Sequence, residues 1–252
     1  MLSPDSQQPG DGASADSPRS RLQECLERSA PCSVGTLGRS ADDQVSGRRK
    51  DAARRRFDRW AAGYERDRRS RFNARVQQDA LAALELHSAD LLLDVGCGTG
   101  AAVREAAAVA DRAVGADISP EMIRRAAELA SGLPNVEFVV ADSEALPFPD
   151  AAFTAVLCTA SFHHYPNPAR ALAEMARVLD LDGRIVIADG TADRLAARVV
   201  DALLRRLDRS HIRLYRSNEL AAMLRTAGFS DISVSTLYDG GYAIVSGRRV
   251  GS

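Results

Sequence analysis

The chain has 252 residues, of which 45% are hydrophobic, with 33 basic and 34 acidic side chains and a formal net charge of −1. That is enough chain to bury one sizeable α/β core, and no run of about 18 apolar residues exists to span a membrane. The balanced charge argues against a nucleic-acid partner, and the opening segment lacks the basic stretch and apolar run of a secretory signal.

Residues 1–45 are rich in Ser, Asp, Gln, Pro and Gly, are nearly free of aromatics and show no sustained period, so they read as a disordered tail. Cys25 and Cys32 fall in that tail and Cys97 and Cys158 in predicted buried elements, without disulfide or metal-ligand spacing. This usage points to a reducing, cytoplasmic compartment and to no bound metal. Arg48, Arg49, Lys50, Arg54, Arg55 and Arg56 form a basic run diluted by Asp51, Asp58 and Glu65, which reads as a solvated helix face. Lys50 is the only lysine, and the arginine and alanine bias around it has the look of a high-GC bacterial genome. Trp60 and Tyr64, four residues apart, share one helix face.

Residues 91–95, Leu-Leu-Leu-Asp-Val, read as a parallel-sheet strand covered on both faces. Gly96, Gly98 and Gly100 free the following turn to take positive φ and to let a ligand lie against the backbone, and 101–111 has the content of a helix that starts there. The spacing is G-x-G-x-G, whereas the dinucleotide fingerprint places its third glycine one residue later. Asp94, directly before the turn, would repel a pyrophosphate and suits a ligand with an ammonium and a sulfonium. Residues 113–117 read as a second strand closed by Asp117, the position about 20 residues after a glycine turn at which an acid takes ribose hydroxyls. Ser119-Pro120 then caps a helix with Met122, Ile123 and Ala126 inward and Glu121 and Glu128 outward. A third strand over 136–141 ends at Asp142-Ser143. That carboxylate can accept a hydrogen bond from an exocyclic adenine amine or act as a plain cap.

The fourth strand, 153–159, leads into Ala-Ser-Phe-His-His-Tyr at 160–165, at the carboxyl end where open α/β sheets place reactive groups. An imidazole there suits removal of a proton from a nucleophile held in line with an electrophilic carbon. His163 is the first choice for that base and His164 the second, with capping of the helix over 168–178 or contact with a bound cofactor's carboxylate as the bland accounts. A fifth strand covers 184–188. An insertion over 190–216 carries Val199, Val200, Leu203, Leu204 and Leu207 at helical spacing, followed by His211 and Tyr215. A helix over 218–227 and strands over 231–237 and 241–245, joined through Asp239-Gly240-Gly241, complete an antiparallel edge.

The segments 93–100, 115–122, 141–148 and 153–164, extended by 172–188, resemble the class I S-adenosylmethionine-dependent methyltransferases, of the group similar to ubiquinone- and menaquinone-biosynthesis and small-molecule methyltransferases. The resemblance implies an α/β, Rossmann-like, seven-stranded, mostly parallel sheet with an antiparallel C-terminal strand and helices on both faces, formed by residues 46–252. It implies S-adenosylmethionine as cofactor, with Gly96, Gly98 and Gly100 beneath its methionine portion and Asp94 linked to its amino group. Asp117 would hold the ribose and Asp142 the adenine amine, flanked by Met122 and Ser143, while Cys97, Ile118 and Thr159 complete the cofactor set. Residues 46–88 would supply lid helices in which Tyr64 reaches the methionine carboxylate and Trp60 meets the substrate, with plain core packing of that stripe as the competing account. The 190–216 insertion would build an acceptor pocket with His211, Tyr215 and Asp189, which could bind an acceptor hydroxyl or merely cap the insertion. Leu181-Asp182-Gly183 departs from the family's usual Pro-Gly-Gly, and a changed surface turn is expected. The motifs of nucleic-acid amino-methylating and protein-arginine enzymes are missing after the fourth strand. The expectation is methyl transfer to oxygen or carbon of a small, hydrophobic acceptor by a monomer or homodimer with no nucleic-acid or membrane partner. The competing reading is an S-adenosylmethionine-binding protein that does not methylate.

Overall fold

The computed structural model of the chain describes residues 17–27, 41–208 and 210–251. Strands Leu91–Val95 (β1), Arg112–Asp117 (β2), Val136–Val140 (β3), Phe153–Thr159 (β4) and Leu179–Gly190 (β5) run parallel. A C-terminal hairpin of Phe229–Leu237 (β6) and Tyr242–Arg249 (β7) sets β7 antiparallel to both β5 and β6. The order across the seven-stranded sheet is β3-β2-β1-β4-β5-β7-β6, which is the sheet expected from the sequence. The chain enters the sheet at β1, moves outward to β3 and returns to β4 on the other side of β1. The crevice at the carboxyl ends of β1 and β4 is therefore the topological switch point, where such sheets hold ligands.

Strand side chains alternate between two cores. On one face Leu91, Leu93, Val95, Val156 and Ile187 pack with Pro18–Glu27 (α1), Pro168–Val178 (α6) and Ser217–Thr226 (α8), through Leu22, Leu172, Met175, Leu220 and Leu224. On the other, Leu92, Leu157 and Val186 pack with Arg68–Leu84 (α3), Ala101–Ala106 (α4) and Pro120–Leu129 (α5), through Val76, Ala80, Val103 and Ile123. Helix Ala41–Trp60 (α2) and a 3₁₀ turn at Ala61–Arg66 precede α3, and Leu195–Leu207 (α7) follows β5. Local chemistry sets the helix starts. Ser119 accepts from the Met122 N–H at 3.2 Å with Pro120 behind it, and Asn167 accepts from the Arg170 N–H at 3.1 Å with Pro168 behind it.

Three expectations need correction. Residues 18–27, read as part of a disordered tail, form α1: Leu22 is buried, Arg21 donates to the Ala151 carbonyl and Cys25 to that of Pro147. The remainder of 1–16 and 28–40, Cys32 included, lies outside the described residues. The helix expected over 101–111 ends at Ala106. Leu181-Asp182-Gly183 is not a separate turn but an irregular stretch within β5, where the pairing with β4 shifts register and Asp182 takes φ 61°.

Because Leu22 fills the core on the α6 side, Leu22→Ala is expected to cost about 2–4 kcal/mol. Chemical denaturation of the full chain measures it, and a loss below about 0.5 kcal/mol would mean that α1 adds nothing to the core.

Candidate active site

β1 delivers the chain into a turn in which Gly96, Gly98 and Gly100 all have positive φ. The turn is drawn against β2 by the Gly96 N–H, which donates to the Ala116 carbonyl at 2.7 Å. A Cβ at position 96 would lie 2.3 Å from Ser161 Oγ, and one at position 100 would lie 2.4 Å from the Phe138 ring, so packing requires both glycines. At Gly98 the nearest atoms to such a Cβ belong to the Tyr64 ring, 3.9 Å away. Gly98 thus borders an open slot between the turn and an aromatic lid.

That slot belongs to an open cleft between the glycine turn and α2. Gly96, Cys97 and Gly98 form its floor, and Asp117, Ile118, Met122, Asp142 and Ser143 one wall. Tyr64, Thr159 and His164 also line it. Gly100 does not, because it is turned to Phe138, and Asp94 lies buried at the end of β1.

Electrostatically, the end of β1 is the least satisfied place in the described structure. Both Asp94 oxygens are buried and make no hydrogen bond there. Burial, reinforced by the Asp117 charge, pushes the Asp94 carboxyl up to about 8. Asp117 is also held above the usual carboxylate range by burial, but it is anchored: Oδ2 accepts from the Gly98 N–H at 3.0 Å and Oδ1 from the Ser119 N–H at 2.9 Å. Each of its oxygens retains a lone pair. Cys97 is buried and its thiol is held well above the usual range by burial, so it packs as a neutral group.

α2 crosses the cleft and is tied down at three points. Lys50 Nζ donates to Asp142 Oδ2 and Glu144 Oε2, both at 2.7 Å. Asp58 accepts from Ser119 Oγ at 2.6 Å, and Arg56 pairs with Asp208 and donates to Ser210 Oγ at 2.7 Å. Lys50 therefore does not sit on a solvated face as its basic neighbourhood suggested. Phe57 lines the cleft, whereas Trp60 lies behind it, edge-on to Tyr64 with centroids 4.8 Å apart.

The two candidate bases stand side by side, ring centroids 4.0 Å apart. His164 faces the cleft and packs edge-on against Phe57, and its Nδ1 lies 2.6 Å from the Ser210 carbonyl. A carbonyl only accepts, so Nδ1 carries the proton and Nε2 is left as the basic nitrogen. Burial, with the neighbouring His163 next, holds the His164 imidazole well below its ordinary range. His163 is not among the cleft residues. Its Nδ1 pairs with Asp189 Oδ1 at 2.7 Å, and its N–H donates to Asp189 Oδ2 at 2.9 Å.

The residues expected to meet an acceptor are placed elsewhere. Asp189 is buried and committed to His163 and to the Gly190 N–H. His211 is buried against Asp201, with 2.8 Å between Nε2 and Oδ1. Tyr215 packs on Phe162 beneath the Arg213 guanidinium. The sequence reading missed Lys50, Phe57 and Gln77, which donates to Thr159 Oγ1 at 3.3 Å, and it also missed the pair Ser161 and Tyr165. Both hydroxyls of that pair donate to the Val95 carbonyl under the glycine turn. A lone lysine among arginines was the available signal for Lys50; the others carried none.

Comparison with known proteins places this cleft in context. A family model described as a methyltransferase domain matches residues 93–187. The uncharacterized methyltransferase YcgJ of Bacillus subtilis is 35% identical over 136 residues, 52% of this chain and 54% of YcgJ. Its crystal structure aligns with TM-score 0.62 at 22% identity, covering 71% of this chain and 99% of that one. The 27-O-demethylrifamycin SV methyltransferase of Amycolatopsis mediterranei is 39% identical over 116 residues, 44% of this chain and 43% of that relative. The demethylmenaquinone methyltransferase of Clavibacter sepedonicus is 30% identical over 178 residues, 63% of this chain and 73% of that relative. The sequence matches thus span about half the length of the first two of these relatives.

Asp94 gives a pH-dependent stability whose sign is fixed. Its carboxyl ionises near 4 in the unfolded chain and near 8 in the fold, so the native state progressively loses stability as pH rises through that window. Asp94→Asn removes the titration. The stability of the variant relative to wild type is expected to rise by about 1 kcal/mol per pH unit between about pH 5 and 8. Thermal melts across that range check this, and a flat difference would show that Asp94 is already ionised in the fold.

Proposed function

We propose that this chain, which belongs to the S-adenosylmethionine-dependent methyltransferase family, methylates an oxygen or carbon of a small hydrophobic molecule. The observation that carries the proposal is a buried, unpartnered Asp94 under a glycine turn that shares its cleft with a tautomer-fixed His164. The residues fit the family's cofactor. Asp94 would hold the ammonium of S-adenosylmethionine, which offers the cation its orphaned oxygens need. Asp117, with a free lone pair on each oxygen, would hold the ribose hydroxyls. Asp142, fixed by Lys50, would take the adenine amine between Met122 and Ser143. When bound, S-adenosylmethionine supplies a methyl group activated by its sulfonium.

The chain's own part is binding, water exclusion and proton removal. Tyr64 and Phe57 cover the cleft and exclude water that would compete as a nucleophile. His164 accepts the acceptor's proton at Nε2, since its other nitrogen is occupied by the Ser210 carbonyl. Asp189 orients His163 beside it, in a supporting place. This reverses the order of preference taken from sequence. Apolar cleft residues Ala53, Phe57 and Leu146 support a hydrophobic acceptor, as do relatives whose names carry a menaquinone and a rifamycin.

Calorimetric titration with S-adenosylhomocysteine, followed by turnover with phenolic and quinol acceptors, tests the reading. Binding should be lost in Asp117→Ala and retained in His164→Ala, while the latter loses about 100- to 10,000-fold in kcat; His163→Ala should lose less. Because a base must be neutral and burial lowers the His164 pKa, the acid limb of the kcat profile should lie below pH 6.5. Tight binding without turnover on any acceptor would favour the non-methylating alternative. Equal loss of ligand affinity in His164→Ala would remove the base assignment.

A further inference from the structure

We propose that α7 is a docking helix for an anionic lipid surface. The helix is amphipathic in the reverse sense: Leu195, Val199, Val200, Leu203 and Leu207 are 51 to 74% exposed, while the buried residue of the helix is Asp201. At 100° per residue these apolar side chains fill one half of the helix and Asp201 lies on the other. The stripe read from sequence as the wall of an acceptor pocket therefore points away from the fold. Asp201 is what turns it outward. Its Oδ1 pairs with His211 Nε2 at 2.8 Å and accepts from the Leu214 N–H at 2.7 Å, so the polar side is hooked to the body.

The charge around the stripe selects the partner. Arg205 of α7 and Arg48, Arg49 and Arg55 of α2 line one open groove, in which Asp51 is the single acid. Asp51 is paired with Arg54, and Arg48, Arg49 and Arg55 make no ion pair among the described residues. Arg205 is paired with Asp201 at 3.0 Å on the inward half of α7, but an outward apolar face with three unneutralised arginines on the polar side behind it matches the boundary of an anionic bilayer, where an amphipathic helix sinks about 5–10 Å and arginines on its polar side meet headgroups. A second copy of the chain fits less well. A helix of 13 residues is about 20 Å long, and pairing two such faces buries a few hundred Å², short of the roughly 1,200 Å² of a stable interface. Among the described residues no helix is long and apolar enough to cross a membrane; α7 lies on one.

The test is co-sedimentation of the full chain with vesicles of equal phosphatidylglycerol and phosphatidylcholine, against phosphatidylcholine alone. Binding to the anionic vesicles is expected, weakened by salt at about 0.5 M. Val199→Glu with Leu203→Glu should reduce it at least about tenfold, and Arg48→Gln, Arg49→Gln and Arg55→Gln by about fivefold for each arginine removed. An unchanged thermal midpoint in each variant shows that the loss is not unfolding. No binding to anionic vesicles, equal binding to neutral ones, or binding indifferent to these substitutions overturns the proposal. So does a dimer in sedimentation that Leu203→Glu dissociates, which would assign the face to a second copy.

Discussion

An ionisable side chain in the middle of a parallel sheet, with both oxygens unpartnered, is the constraint around which this structure is built. Asp94 occupies a position on β1 where its neighbours Leu92, Leu93 and Val95 are buried apolar residues, and by local rules a leucine or valine belongs there. Such a breach costs stability and persists where the surroundings enforce it. Here they do so through the glycine turn. Gly96 and Gly100 admit Ser161 and Phe138 against the backbone, which fixes the turn over the carboxyl, and Gly98 leaves the turn open to the cleft. The unpartnered carboxyl and the turn that borders the cleft thus come from one run of sequence.

The lid is governed by a second kind of interaction. Exposed ion pairs add little, but the three anchors of α2 are partly buried, and each reaches a different element: the end of β3, the cap of α5 and the segment after α7. Those elements carry different parts of the cleft. Its wall, the Asp117 carboxylate and the His164 imidazole are therefore positioned through one helix, and a displacement of α2 would loosen all of them together. Ser210 joins the two systems, because its hydroxyl accepts from Arg56 while its carbonyl sets the tautomer of His164.

What was legible in the sequence follows the range of the forces involved. The bounds of β4 and α6 match expectation because a buried apolar run and an Asn-Pro helix start are local signals. The glycine turn and the carboxylates after β1, β2 and β3 were legible for the same reason. α1 was not, since it rests on a single buried leucine with no period to announce it. The stripe of α7 was found, yet its direction was not: periodicity defines a face without saying which side meets the core, and that choice depends on Asp201 reaching His211. Phe57, Trp60 and Tyr64 recur along one stretch, and only packing sends the first and last to the cleft and the middle one behind it. Asp189 was read as binding an acceptor hydroxyl or capping the insertion, and in the fold it pairs with His163 and accepts from the Gly190 N–H.

Lys50 carries a practical consequence. A chain with one lysine has a single side-chain amine, and here that amine stands on the wall of the cleft between Asp142 and Glu144. Acylating it would erase the cation that holds Asp142 and unfasten the middle of α2. Besides an α-amine, an amine-directed reagent consequently has one address on this protein, and modification there is a chemical means of releasing the lid from the cleft wall.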